Sequence, residues 1–180
     1  MGACKIGDLY AVKTIMDELK TNDRDLSLMI NVQDENGNSS LHLSAMQGHI
    51  KITKILLVHN APLDLLNNAG NSPLHEAVMA GKLEVVKTIL DGSAVFVAFF
   101  RRVSAWGRSF VKNCNCVLDE QKTSNRDPSL VINIQNEEGN SPLHLSAMQG
   151  NSEMTKILLK HDALLDLENK KGKTLVFTIY

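Results

Sequence analysis

The sequence predicts an all-α solenoid of helix-turn-helix units joined by β-hairpin-like turns, about five units in all. Three observations carry that reading. Leu41-His42-Leu43-Ser44-Ala45-Met46-Gln47-Gly48 recurs unchanged at residues 143–150, an offset of 102. The same offset carries Thr53–Leu57 onto 155–159 and Arg24-Asp25 onto Arg126-Asp127, so a block of chain has been duplicated. Inside the block a shorter period appears: Gly37-Asn38-Ser39-Ser40-Leu41-His42 returns 33 residues later as Gly70-Asn71-Ser72-Pro73-Leu74-His75, with a third copy at 139–144.

The chain opens inside a partial unit, residues 1–33, in which Gly7-Asp8-Leu9 and Val12–Met16 read as a second helix. A polar stretch around Asn22-Asp23-Arg24-Asp25 then predicts a long loop. Residues 34–66 form the first clean unit. There Asx and Gly make a turn, Ser39 caps a helix that stops at Gly48, and Ile52, Ile55 and Leu56 mark a second helix. Asn60, and Asp162 in the later copy, stand after helix two, where both residue types tolerate a left-handed backbone. Residues 67–93 repeat the pattern with Pro73 at the first helical position and Val85, Val86, Ile89 and Leu90 in helix two.

Residues 94–135 are the exception. They lack the Asn-Gly turn and the Ser-Pro-Leu-His start, yet the duplication offset predicts a degenerate fourth repeat filling a repeat's place, followed by a copy of the long loop at Asn125–Pro128. Residues 136–168 form the third clean unit, with Met154, Ile157 and Leu158 in helix two. Residues 169–180 begin another, at Lys171-Gly172-Lys173-Thr174-Leu175, and stop at Tyr180. A single pair of short helices cannot bury its apolar face, so the units must stack, and residues 1–180 are expected to form one domain.

Gly-Asn-Ser-Pro-Leu-His, followed by Ala, then Gly, then a Val-Val-Lys or Ile-Thr-Lys helix, resembles the ankyrin repeat. The strong match covers about half the chain, over the three clean units. The resemblance implies a concave face, lined by turn tips and first helices, that binds protein partners. It also implies that His42, His75 and His144, at one repeat position, bracket helix starts to adjacent turns.

Composition narrows the function classes. The 180 residues carry a formal net charge of −1 and 43% hydrophobic residues, which gives no global field toward nucleic acid or an anionic membrane. Met1–Lys13 lacks the apolar core of a signal peptide. The longest apolar run, Ala94–Phe100, has seven residues against the roughly 20 of a membrane span, so no transmembrane segment is expected. Cys4, Cys114 and Cys116 offer neither a full set of pairs nor a zinc ligand set, which predicts a reducing, cytoplasmic setting and no metal.

Chemical motifs fail on inspection. The Ser and His of each unit read as cap and bracket rather than as parts of a triad. Gly172-Lys173-Thr174 ends like a phosphate loop, but that motif needs Gly at the position of Leu167. Asn38-Ser39-Ser40 spells a glycosylation sequon inside an inter-repeat turn. Arg101, Arg102, Arg108 and Lys112, interleaved with Phe99, Phe100, Trp106 and Phe110, form the basic and aromatic cluster. It is read as a degenerate helix pair whose arginine stems cover apolar surface, ahead of a nucleic-acid or lipid contact.

The expected function is therefore a non-catalytic module that binds a protein partner as a monomer, with no cofactor, small-molecule substrate or nucleic acid. A second reading makes the array the recruiting or regulatory part of a larger multidomain protein, an enzyme or a channel. The contacts are expected at the tips and first helices: Glu35, Asn36, Asn38, Met46 and Gln47; Asn68, Asn71 and Met79; Glu137, Glu138, Asn140, Met148 and Gln149.

Overall fold

In the computed structural model, described over residues 1–21, 30–91 and 131–174, short helices pair into antiparallel hairpins that stack side by side. The helices are α1 (Gly2–Ile6), α2 (Leu9–Thr21), α3 (Ser40–Gln47), α4 (Ile50–Val58), α5 (Pro73–Met79), α6 (83–91), α7 (Pro142–Met148) and α8 (Ser152–Lys160). Extended pairing among the described residues is confined to one antiparallel bridge, Gln33 with Ser39, at the neck of the first turn.

Each first helix starts by the same device. Ser39, Ser72 and Ser141 occupy the N-cap in extended conformation, and the side chain of each accepts from the backbone N–H three residues on. That third residue is a histidine whose Nδ1 accepts the serine N–H in return, so two helix-end donors are satisfied reciprocally. Pro73 and Pro142 sit at the first helical position, where no N–H is required; Ser40 takes that place in the first unit. Asn60 and Asp162 adopt φ of 69° and 63°, the left-handed conformation expected where helix two ends.

The core is continuous through the stack. Leu41, Leu56, Leu74, Val86, Leu90, Leu143 and Leu158 are 0–1% exposed, and the cluster runs from Cys4 and Val12 to Met154 and Ala163. Burying one such side chain stabilises the fold by about 1.5–3 kcal/mol, so helices too short to persist alone are held by their neighbours. The middle hairpin differs from its neighbours in one matched pair. Thr53 donates to Ser44 at 3.2 Å, and Thr155 and Ser146 are paired at 3.1 Å, where the middle unit has Ala77 and Val86, both fully buried. Polar meets polar or apolar meets apolar, and no hydroxyl is stranded.

Repeats 67–91 and 136–168 stack on each other directly. His75 Nε2 donates to the Asn140 carbonyl at 3.0 Å, as His42 donates to Asn71 and His144 to Lys173. This bond spans 29 residues at His42 and at His144 but 65 at His75, so 36 extra residues of chain lie between two units that touch. The turn at 67–71 thus has the turn at 136–140 as its neighbour, and the degenerate fourth repeat expected within 94–135 falls, but for 131–135, outside the described residues. Residues 94–130, with the basic and aromatic cluster, lie outside the described residues. Among the described residues no helix is long and apolar enough to cross a membrane.

Candidate protein-binding face

The turn tips are tied to one another by backbone and side-chain amides. Asn67, Asn136 and Asn169 each use Oδ1 to accept the N–H groups two and four residues on, closing the turn. Each then donates from Nδ2 to the asparagine of the preceding unit: Asn67 to Asn38, Asn136 to Asn71 and Asn169 to Asn140, at 2.9–3.0 Å. Backbone bonds run alongside, from Asn68 N to Asn36 O, Glu137 N to Ala69 O and Lys170 N to Glu138 O. Gly70 lies at the closest approach. Its φ is +69°, and a Cβ there would stand 2.6 Å from the backbone nitrogen of Glu137.

This ladder sorts the expected contact residues. Glu35, Asn36, Gln47, Asn68, Glu137, Glu138 and Gln149 are exposed, with Met79 at 46% and Met148 at 59%, and Met46 is half-buried. Asn38, Asn71 and Asn140 are placed differently. They are 7%, 5% and 2% exposed, and their side chains are engaged in the ladder, so they hold tips together instead of presenting themselves. Asn68 and Gln149, though exposed, also bridge units, donating to Glu35 O and Met79 O at 2.9 Å.

Sequence reasoning passed over Glu76. It follows His75 on α5, in the position that Leu43 and Leu145 hold on α3 and α7. Its Oε1 accepts from Asn67 Nδ2 at 2.9 Å and from Asn71 Nδ2 at 3.0 Å, which fixes the carboxylate although the residue is only 8% exposed. The signal was present in the sequence as an acidic residue at a position where the other copies are apolar.

The serine and histidine pairs have the atoms of a catalytic dyad without its geometry. Ser39 Oγ lies 2.8 Å from His42 Nδ1, and the same distance recurs at Ser72 with His75 and Ser141 with His144. All six residues are 0–1% exposed, and each Nε2 is committed to a backbone carbonyl, so no substrate bond reaches them. Burial disfavours the charged ring at two of the histidines, pushing His42 below its usual range and His75 down to about 4. Asn38, at the head of the sequon, is buried by the same packing.

Two family models match the chain. The model described as ankyrin repeats (3 copies) matches residues 1–97, and the one described as ankyrin repeats (many copies) matches 125–176. The chain belongs to the ankyrin-repeat family. No curated protein matches it. The matched ranges of this ankyrin-repeat protein leave residues 98–124, within the extra chain length, uncovered. The histidine bracket and the helix-start serine are thus structural features of its repeats, which leaves the exposed residues between tip and first helix as the surface free for other work.

Proposed function

We propose that this ankyrin-repeat protein binds a partner protein across the tips and first helices of its three clean repeats, with no catalytic step of its own. The observation that supports this reading most is the contrast between neighbours on α5 and α7. Residues 72–78 and 141–144 are sealed into the stack, whereas Met79 and Met148, at the ends of the same helices, stand 46% and 59% exposed. Large apolar side chains left in solvent at matching positions of adjacent repeats form a row suited to an adaptable contact, because methionine repacks around varied shapes at low cost. Glu35, Asn36, Asn68, Glu137 and Glu138 give that row a polar rim.

Affinity capture tests the reading, with the intact chain and a Met79→Glu, Met148→Glu double variant as parallel baits. Both substitutions fall at exposed sites, so the variant should unfold at the same denaturant concentration as the parent. A protein retained by the parent and absent from the variant supports the face; equal retention by both places the site elsewhere.

A further inference from the structure

We infer that the partner segment presents a basic side chain flanked by apolar residues, and that Glu76 receives it; the inference rests on the inner face being the binding surface. Residues 34–48, 67–81 and 136–150, which make the tips and first helices, contain five acidic residues, Asp34, Glu35, Glu76, Glu137 and Glu138, and no lysine or arginine. Lysines lie on the second helices, at Lys51, Lys54, Lys87, Lys156 and Lys160, between the helices at Lys82, and on the last tip at Lys170, Lys171 and Lys173, beside Glu138. The acidic stretch of the face is therefore confined to the three clean repeats, with the lysines of the 169–173 tip bounding it at one end, and a cationic segment is the complementary occupant of that stretch.

Glu76 turns that general field into a specific receptor. Both of its hydrogen bonds from the described residues, from Asn67 and Asn71, end on Oε1, and Oε2 receives none from them. No sealed side-chain polar atom among the described residues lacks a partner, so Oε2 keeps access to solvent despite the burial of the residue. The carboxylate is thus locked in place with one oxygen open. Leu43 and Leu145 occupy its position on the helices to either side, and Asn71 Nδ2 also lies 3.5 Å from the Met79 sulfur, which puts the exposed methionine row beside the charge. An arginine or lysine reaching this oxygen would make a charge-assisted bond at little ordering cost to the protein, while the residues beside it would rest on Met46, Met79 and Met148.

The experiment is selection of a displayed library of random 12-residue peptides on the full chain, followed by measurement of the best synthetic peptide against variants. The expected result is enrichment of sequences with a central arginine or lysine between apolar residues, bound more weakly as salt rises. Glu76→Gln should weaken binding by about tenfold or more. Glu76→Leu, which copies Leu43 and Leu145, should do the same; because it takes the carboxylate acceptor from Asn71, binding is measured under conditions where the unfolding curve shows the variant fully folded, so a folding defect cannot imitate the loss. Absence of basic residues from the enriched peptides, an empty selection, or equal binding by Glu76→Leu overturns the inference. If selected peptides ignore Glu76 but are lost with Met79→Glu, Met148→Glu, the face survives and only its specificity is wrong; if they ignore both, the face itself is wrong.

Discussion

His75 donates its Nε2 proton to the carbonyl of Asn140 at 3.0 Å, across 65 residues of sequence. Because Nδ1 of the same ring accepts the Ser72 N–H, the ring must be the neutral tautomer with its proton on Nε2. One bond thus fixes three things: the start of α5, the neighbour of its repeat and the protonation state of the imidazole.

Stability should follow that protonation state. The unfolded chain takes up the proton near pH 6.5, whereas folded His75 holds out to about pH 4, with His42 shifted in the same direction. The unfolded state therefore binds more protons between those values, so the His75 contribution is full above about pH 7 and is lost as the pH falls from 6.5 toward 4. At pH 5 the loss from His75 is about 2 kcal/mol. Urea unfolding at pH 7 and pH 5 should show a smaller drop for His75→Gln than for the parent.

Gly70 and Gly81 both have positive φ, +69° and +66°, but only Gly70 faces a neighbour. An alanine at 81 meets nothing within 4 Å and should cost only the backbone term, about 1 kcal/mol. Gly70→Ala drives a methyl into the Glu137 backbone and should cost clearly more by parting the two tips. Denaturation midpoints of the two variants, measured side by side, decide this.

The hydroxyl pair of the first hairpin should behave as a unit. Ser44→Ala leaves Thr53 Oγ1 the His49 carbonyl as acceptor, and Thr53→Val leaves Ser44 Oγ its bond to the Leu41 carbonyl but no donor, so each alone should cost about 0.5–1 kcal/mol. Together they reproduce the Ala77 and Val86 pair of the middle repeat. A double-mutant cycle should return a coupling of about 0.5 kcal/mol, and strict additivity would show that the pairing is incidental.

How much of this was legible in sequence depended on how local the cause was. The serine caps, the proline starts and the left-handed Asn60 and Asp162 were readable because each is set by residues within one turn. The inward asparagines were misread, since a polar residue beside a Gly turn looks like surface until its partner, Asn67 for Asn38 or Asn136 for Asn71, is brought beside it by stacking. Glu76 was missed because only the neighbouring asparagine amides make a buried carboxylate tolerable there. The contact between repeats 67–91 and 136–168 has another origin. An offset of 102 records how the sequence was copied, whereas adjacency is decided by which turn offers its carbonyl to His75.

The most direct test of direct stacking is removal of the 36 extra residues, 94–129, which restores the 29-residue spacing seen at His42 and His144. If repeats 67–91 and 136–168 are true neighbours, the shortened chain will keep its helical signal and unfold in one transition at a denaturant concentration equal to or above that of the parent. Loss of the cooperative transition, or separate melting of the two halves, would show that the deleted segment supplies a unit of the stack and would contradict the account.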